Sequence, residues 1–406
     1  MLPSGLEMTQ HGNILDRKAV SCGRLTRLDM HTQKLKWLDR LLAGILERLP
    51  RRAVVNHRFP KSILIIKLSA MGDGLCLMPS IKSLATALPE AQVDWLTTAR
   101  TSPQLFERVS FIHEIILLPT TGLVLPGFLF RNLSRLFHYD LVIDFDQYYR
   151  ISELIARMGR CSAGFDAPLK GHTFSIRHKY LPRLNEKIQF REVITTVLKR
   201  YEVEMPAGEW AGTDLIGAHK PPNELSALAQ RFERSDKKVL VLYPGSGKNA
   251  SFRRWSWFNF EEIISRFAGR VEIVIAGGPD EKELDKKIQR EGYPVHNQIG
   301  NWSLLDWAWF LDYLHPIVVG NDGGFLHLAE AVGIPTISIF GPSKFSKWGS
   351  LHPESIAFEI DLECRPCLKN YLGEVPTSCW RGTSECLGKI PPAKVIKGIE
   401  AKLESR

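Results

Sequence analysis

The sequence predicts an α/β protein built from two doubly wound, Rossmann-like domains that face a central cleft. Short apolar segments rich in β-branched residues alternate with helical patterns, which is typical of parallel sheets covered by helices. The length of 406 residues exceeds what a single hydrophobic core usually supports. Because open α/β sheets bind ligands at the carboxyl ends of their strands, we expect the functional site between the two domains.

The first domain is predicted at residues 59–215, after a leading segment of residues 1–58. Its first strand is the apolar run at residues 63–68, and a helical pattern follows at residues 75–88. Three further strands are predicted at residues 93–97, 115–118 and 141–145.

The second domain is predicted at residues 216–406 and repeats this design, with a helix at its C-terminal end. A polar stretch containing proline and glycine at residues 205–222 favours a passage between the domains. Four strands are predicted, at residues 238–243, 271–276, 317–320 and 335–340. Helical patterns follow the first three of them.

The positive charge of the chain is concentrated in its leading segment. Residues 1–58 hold eleven Lys/Arg and five Asp/Glu, so they contribute +6 of the net charge of +9. A basic leading segment on a nearly neutral body favours an anionic membrane surface as partner and disfavours a nucleic acid. No apolar run is long enough for a membrane span or an export signal, so we expect a cytoplasmic protein.

Part of the leading segment has the pattern of an amphipathic helix. Within residues 34–52, six aliphatic residues recur at helical spacing, with Trp37 beside them and basic residues at both ends. This pattern favours a helix that lies on a membrane surface, or one that packs its apolar stripe against the first domain. Apolar residues at 123–130 either add a second membrane contact or are buried in the first domain.

A turn after the first predicted strand contains Ser69, Gly72 and Asp73. Glycine lets a ligand approach the backbone closely, and the Asp73 carboxylate is placed to accept a proton from an attacking hydroxyl. The alternative is structural, because aspartate is also a favoured residue for capping the start of a helix.

The turn at residues 244–249 contains groups that suit a diphosphate. It holds the Ser246 hydroxyl, and Arg253 and Arg254 follow with guanidinium groups that make bidentate phosphate contacts. The spacing of a P-loop is absent, and an ordinary strand-to-helix loop is the alternative.

A second acidic turn, at residues 276–281, lacks the Gly-x-Gly-x-x-Gly spacing of a nicotinamide-dinucleotide site. This disfavours an oxidoreductase. Glu281 is a candidate for contact with a ribose or base, although acidic residues also start helices because of the helix dipole.

The clearest local pattern is a polar, glycine-rich turn between a buried strand and a short apolar helix. The amides of Gly323 and Gly324 are placed to bind an anion, and Asp322 to accept hydrogen bonds from sugar hydroxyls. His327 follows one helical turn later, and it faces either the same ligand or the core.

Seven cysteines are present, and four of them form a late cluster. The cluster consists of Cys364, Cys367, Cys379 and Cys386, and its spacing permits one structural Zn²⁺ held by four thiolates. The alternative is that these are buried cysteines that bind no metal. The three isolated cysteines argue against a disulfide framework, since the chain has no predicted export signal.

Five motifs occur in an order that resembles glycosyltransferase family 9, the ADP-heptose:lipopolysaccharide heptosyltransferases. They are KLSAMGD, DLVIDFD, YPGSGKNASFRRW, IAGGPDE and GNDGGFLHLAEAVGIPTISIFGP, and the resemblance spans roughly residues 61–400. It implies a GT-B fold and an inverting transfer that requires no metal or other cofactor. It also implies that the second domain binds the nucleotide-sugar donor and the first domain the acceptor.

The resemblance also implies roles for single residues. Asp73 matches the family's proposed general base, with Ser69 and Gly72 in the same turn. The donor would be bound by Ser246, Arg254, Asp322, Gly323, Gly324 and His327, with Glu281 as the further candidate from the acidic turn.

Three positions depart from the family's usual pattern. Arg254 stands where the family usually has lysine, Gly323 replaces a hydroxyl residue, and Asp146 stands where many relatives carry glutamine. These departures leave the exact donor and the acceptor contacts open.

We therefore predict transfer of a heptose, from ADP-heptose, to a lipid-linked anionic glycan of the lipopolysaccharide core, by an enzyme peripheral to the inner membrane. A transferase that uses a UDP- or GDP-hexose is the first alternative. A silent protein that binds sugar nucleotides or lipopolysaccharide is the second, and an epimerase of the same layout is the third.

Overall fold

The computed structural model describes Leu46 and residues 48–50, 59–120, 125–206, 210–247 and 250–405. These residues form two six-stranded sheets in which every strand pair is parallel. The strand orders are β3-β2-β1-β4-β5-β6 and β12-β11-β10-β7-β8-β9. In each sheet the order in which strands are added reverses next to the first strand, between β1 and β4 and between β7 and β10. This is the doubly wound order predicted from the alternation of strands and helices.

The first sheet has a fully buried centre, because its strands are aliphatic on both faces. Its strands are β1 Ser62–Ile66, β2 Gln92–Thr97, β3 Glu114–Leu117, β4 Leu141–Asp144, β5 Cys161–Asp166 and β6 Ile176–Lys179. The helices around it are α1 Met71–Ala87, α2 Leu125–His138, α3 Arg150–Ala156 and α4 Glu186–Lys199.

The second sheet follows two helices, α5 Gly212–Ile216 and α6 Asn223–Glu233. Its strands are β7 Val239–Tyr243, β8 Glu272–Ile275, β9 His296–Asn297, β10 Ile317–Asn321, β11 Thr336–Phe340 and β12 Ile356–Glu359. The remaining helices are α7 Trp257–Phe267, α8 Lys282–Glu291, α9 Leu304–Leu314, α10 Gly324–Ala331, α11 Phe345–Trp348, α12 Glu385–Gly388 and α13 Pro392–Glu404.

The predicted strands are all present, but four outer strands have no predicted counterpart, β5, β6, β9 and β12. β5 reads CSAGFD and contains no β-branched residue, and β6 reads IRHK, so neither has a continuous apolar run. Their neighbours in the sheet, more than their own composition, determine that they are strands.

The predicted passage at residues 205–222 contains α5, which contacts both halves of the molecule. Asp214 of α5 forms a 2.7 Å ion pair with Lys82 of α1, and a Cβ added at Gly212 would lie 2.9 Å from Asp312 of α9. The domain boundary near residue 215 therefore stays a prediction.

Most of the predicted leading helix lies outside the described residues. Leu46 is buried, its carbonyl oxygen lies 3.0 Å from His172 Nε2, and Arg157 donates a 2.7 Å hydrogen bond to the carbonyl of Pro50. At these points the segment contacts the first half of the molecule. Among the described helices, none combines the length and the apolar character that crossing a bilayer requires.

Candidate active site

The cleft between the two halves lies at the carboxyl ends of β1 and β10, where the strand order of each sheet reverses. It encloses about 210 Å³ and is lined from both halves. The structure brings together there seven of the residues predicted from sequence, Ser69, Gly72, Asp73, Asp322, Gly323, Gly324 and His327.

Asp73 lies in the first turn of α1, three residues after the N-cap residue Ala70. One carboxylate oxygen accepts a 3.1 Å hydrogen bond from the amide of Ala70, and the other lies 3.1 Å from the ammonium of Lys67. The predicted alternative is thus corrected in detail: Asp73 is not the N-cap itself, but its carboxylate does satisfy the cap amide. The side chain keeps 15% of its surface exposed, on the side of the cleft.

Lys67 follows β1 and is buried, yet its position in the KLSAMGD motif was not assigned a role from sequence. Burial alone would lower the pKa of Lys67, but the carboxylates of Asp73 and Asp146 raise that pKa above its ordinary value. Lys67 therefore remains charged and presents Asp73 with a fixed cation. A lysine within the otherwise apolar run at residues 63–68 is the signal from which it can be found.

Asp322 follows β10 on the opposite wall, and Gly323 is the N-cap residue of α10. The hydroxyl of Ser343 donates a hydrogen bond to the Asp322 carboxylate, and the Arg253 guanidinium lies 3.8 Å from that carboxylate. The N-terminus of α10 and Arg253 therefore place positive charge in the cleft opposite Asp73.

His327 lines the cleft and also belongs to the packed interface between the halves. Its Nδ1 lies 3.4 Å from the sulfur of Cys76 on α1, and a Cβ added at Gly72 would lie 2.6 Å from its ring. Burial, with Lys187 and Arg253 nearby, lowers the pKa of His327 to about 3. The imidazole is consequently neutral near neutral pH, which argues for packing and hydrogen bonding as its contribution.

Ser246, Arg254 and Glu281 form a separate cluster beside the cleft. Arg254 donates hydrogen bonds to Glu281 at 3.0 Å and to the Ser246 hydroxyl at 3.1 Å, and the amide of Gly278 donates to Glu281 at 2.9 Å. The structure thus brings these three predicted donor residues to one another, while the residues that line the cleft do not include them. Their contact with a donor stays a prediction.

Arg253, the neighbour of Arg254, lines the cleft instead. Its buried Nε has no hydrogen-bond partner among the described residues. The loop that presents it is held by the buried Asn321, which accepts from the amide of Trp255 at 3.0 Å and donates to the carbonyl of Pro244 at 2.7 Å. Arg253 is therefore better placed than Arg254 to meet an anionic group in the cleft.

Other cleft-lining residues were not predicted as site residues, namely Arg100, Gln147, Tyr148, Ser343 and Trp348. Arg100 follows β2 and Gln147 follows β4, at the same edge of the first sheet as Asp73. Their positions after strands are the signal that the sequence contains. Asp146 lies just behind this wall, where it accepts a 2.9 Å hydrogen bond from the amide of Leu68.

The four late cysteines line one cavity of about 60 Å³, together with other residues of this region. Among the described residues, one group brings three possible metal-ligand atoms within 4.8 Å of one another, and it consists of Asp94, His113 and Glu114. In that group, Arg135 already forms ion pairs with Asp94 and Glu114. The cysteine sulfurs converge on one cavity without that close spacing, so the structural zinc stays a prediction.

Comparison with known proteins finds a matching family model, and relatives and solved structures that are similar to this chain. The model of glycosyltransferase family 9 (heptosyltransferase) matches residues 130–374. Lipooligosaccharide heptosyltransferase 2 of Campylobacter jejuni is 27% identical over 175 residues, which cover 41% of this chain and 52% of that protein. Lipopolysaccharide heptosyltransferase 1 of Pseudomonas aeruginosa is 22% identical, over 84% of this chain and 98% of that protein. The chain thus spans about half the length of the first of these relatives.

Two solved structures are similar over most of their length. The glycosyl transferase family 9 protein from Veillonella parvula has a TM-score of 0.65 and 18% identity, covering 87% of this chain and 100% of that one. The E. coli heptosyltransferase WaaC with ADP-2-deoxy-2-fluoro heptose has a TM-score of 0.62 and 19% identity, covering 84% and 99%. These likenesses confirm the predicted GT-B fold.

Proposed function

The chain belongs to glycosyltransferase family 9, and we propose that it transfers a heptose from ADP-heptose to a lipopolysaccharide core acceptor, with inversion at the anomeric carbon. The observation that carries this proposal is the arrangement of one cleft: the Asp73 carboxylate on one wall faces Arg253 and the N-terminus of α10 on the other. An inverting transfer needs a base and a phosphate-binding group on opposite sides of the reacting carbon.

In the proposed reaction, Asp73 accepts the proton of an acceptor hydroxyl while the hydroxyl oxygen attacks the anomeric carbon. The bond from that carbon to the diphosphate oxygen breaks, and its electron pair leaves with the nucleoside diphosphate. Arg253 and the amides at the start of α10 stabilise the negative charge of the leaving group. Since these groups supply the positive charge, we propose no metal ion for this step, and zinc at the late cysteines would be structural.

ADP-heptose is proposed as the donor because a solved structure of similar fold contains an ADP-heptose analogue. The glycine at position 323 removes a hydroxyl that the family usually has there, so a UDP- or GDP-hexose is the alternative donor. A silent binding protein is the other alternative, although the cleft contains both an acidic and a basic group in opposition.

The test is transfer by the purified full chain, supplied with a lipid-linked core acceptor and with ADP-heptose, a UDP-hexose or a GDP-hexose in parallel. We expect product with ADP-heptose and, with the same donor, the largest rise in unfolding temperature. Product with a hexose donor alone would replace the proposed sugar. Binding of a donor without any product would favour the silent binding protein.

Arg253→Ala is expected to weaken donor binding by about 10- to 100-fold, because a hydrogen bond to a charged group contributes about 1.5–3 kcal/mol. The guanidinium lines the cleft and its Nε lacks a partner among the described residues. Calorimetric titration with ADP and with the full donor measures the change.

Arg254→Ala is the matched comparison, since it removes the neighbouring guanidinium from its pair with Glu281. If Arg254→Ala weakens donor binding more than Arg253→Ala, the donor phosphate is bound at the Ser246 cluster as first predicted from the sequence.

We propose that the acceptor-side half also contacts the inner membrane, where a lipid-linked acceptor would be found. Helix α2 has no acidic residue, and its exposed face carries Phe130 and Phe137, which are 81% and 52% exposed. They are seven residues apart and so lie on one side of the helix, beside the exposed Arg131. An apolar, cationic face of this kind suits an anionic bilayer.

Replacing both Phe130 and Phe137 with serine is expected to lower binding to anionic vesicles about tenfold or more, because each buried phenylalanine contributes about 1.5–3 kcal/mol. A chain that starts near residue 58 should also bind less, since it lacks the basic leading segment. Co-sedimentation at low salt measures both.

Phe258→Ser is the control, because this phenylalanine is 70% exposed but lies on α7 of the other half. Equal vesicle binding by all four proteins, or none by the full chain, would contradict membrane contact through α2 and the leading segment.

A further inference from the structure

A line of buried polar side chains connects Asp73 to the opposite half of the molecule. It begins at Lys67, whose ammonium lies 3.1 Å from Asp73, 3.3 Å from Asp146 and 3.1 Å from the amide oxygen of Gln147. Lys67 is buried on all sides, so these three groups are what satisfies it. Displacing any one of them would change the position of the ammonium that Asp73 faces.

The line continues through Gln147 to Glu186 at the start of α4. The amide nitrogen of Gln147 donates a 2.5 Å hydrogen bond to one carboxylate oxygen of Glu186. The other oxygen accepts from the hydroxyl of Tyr180 at 3.1 Å and forms a 2.5 Å ion pair with Lys347. Lys347 lies on α11, between β11 and β12 of the second sheet, so this pair crosses between the halves.

The charge of Lys347, at the far end of the line, affects the position of Lys67 at the near end. Glu186 is fully buried, and a buried carboxylate requires a cation or several hydrogen bonds. Without Lys347, Glu186 would depend on its remaining hydrogen-bond donors, which are Gln147, Tyr180 and Gln189. Of these, Gln147 is the one that also binds Lys67. A rotation of Gln147 toward Glu186 would remove a ligand of Lys67 and shift the ammonium beside Asp73.

We propose that Glu186 and Lys347 are positioning residues for Asp73, which connect the closed arrangement of the two halves to the orientation of the base. This inference rests on the proposed role of Asp73. When the halves are together, Lys347 satisfies Glu186, Gln147 keeps its bond to Lys67, and Lys67 holds the Asp73 carboxylate toward the cleft. When they separate, the line loses its last member.

A second ion pair between the halves provides the matched control. Lys187, the residue after Glu186, lies 2.7 Å from Glu330 of α10, and its ammonium also donates to the carbonyl of Gly349 at 2.9 Å. This pair connects the same two halves, but no hydrogen bond in the described residues runs from it to Lys67. Lys187→Met therefore removes one interdomain cation without cutting the line to Asp73.

The experiment compares steady-state kinetics of Lys347→Met, Glu186→Gln, their double variant and Lys187→Met. We expect the first two to lower kcat about 10- to 100-fold with KM values for donor and acceptor within about threefold, since a shift of about 1 Å in a catalytic group costs up to about 10²-fold. The double variant should be no slower than the slower single variant, because both cut one line. Lys347→Arg, which keeps the cation, should restore most of kcat.

Equal kcat for Lys347→Met and Lys187→Met would overturn the proposal, as would a change in KM alone or additive losses in the double variant. If the buried Glu186→Gln fails to fold, Lys347→Met and Lys347→Arg still decide, because the Lys347 side chain is 12% exposed. Absence of transfer by the unmodified chain overturns the proposed function and this inference with it. Transfer by that chain at unchanged kcat in Lys347→Met overturns this inference alone.

Discussion

Asp73→Asn is expected to fold and to bind donor with nearly unchanged affinity, while its turnover falls by about 10²–10⁴-fold. Asparagine has the same shape and still accepts the hydrogen bond from the Ala70 amide, so the first turn of α1 is kept. What is lost is the carboxylate beside Lys67 that is proposed to accept the acceptor's proton. Single-turnover rates with saturating donor and acceptor, together with calorimetric donor binding, separate these effects.

Asp214→Asn is a closely matched control for this substitution. Asp214 occupies the equivalent position in the first turn of α5, accepts a 2.9 Å hydrogen bond from the amide of Ala211 and pairs with Lys82 at 2.7 Å. It thus combines the same cap contact and the same kind of lysine pair, away from the residues that line the cleft. Similar turnover losses in both variants would assign the effect of Asp73 to helix structure and remove it from the proposed mechanism.

The position of Asp73 in the cleft was predictable because parallel strands bring their carboxyl ends to one edge. Any turn after a central strand of such a sheet faces the crevice, so the turns at residues 69–73 and 321–324 had to meet once both sheets were recognised. The central strands are apolar and β-branched, and they were all predicted. The outer strands β5 and β6 were not, because β5 has no β-branched residue and neither strand has a continuous apolar run.

The choice between Arg253 and Arg254 was not predictable in the same way. Both follow the same strand, but residues Ser251–Arg253 form a single 3₁₀ turn, and Arg254 then has an extended backbone. The two neighbouring side chains consequently leave the loop in different directions, one toward the cleft and one toward Glu281. A backbone change within three residues of a loop has no periodic signal in the sequence.

The line from Lys67 to Lys347 could not be predicted from the sequence, for a different reason. Its members lie up to 280 residues apart in sequence, and no local pattern relates one of them to another. Lys67 follows a strand, Glu186 begins a helix and Lys347 lies in a short helix. Only the packing of α4 against the start of α1 and against α11 brings them together.

Gly72→Ala is expected to lower kcat/KM by about 10²-fold or more, although the added group is a single methyl. A Cβ at this position would lie 2.6 Å from the ring of His327 and 3.4 Å from the Cα of Gly324, both on the opposite half. His327 is half-buried and its Nδ1 lies 3.4 Å from the sulfur of Cys76, so its ring has little room to swing away. The two helices must separate by about 1 Å, a displacement of reacting groups that costs about 10²-fold.

Gly74→Ala, two residues later on the same helix, distinguishes this effect from a general loss of stability. Its Cβ would lie 3.1 Å from Trp95 and 3.2 Å from Phe106, inside the first half, so we expect a lower unfolding temperature and near-normal turnover. Gly72→Ala should instead lose turnover without a lower unfolding temperature. Each half keeps its own packed sheet, and alanine favours the helix by about 0.5–1 kcal/mol. Thermal unfolding and kcat/KM, measured on both variants, give the comparison. Normal turnover in Gly72→Ala would mean that α1 and α10 need not approach this closely for transfer, and that Asp73 and the α10 N-terminus act across a wider cleft than the structure has.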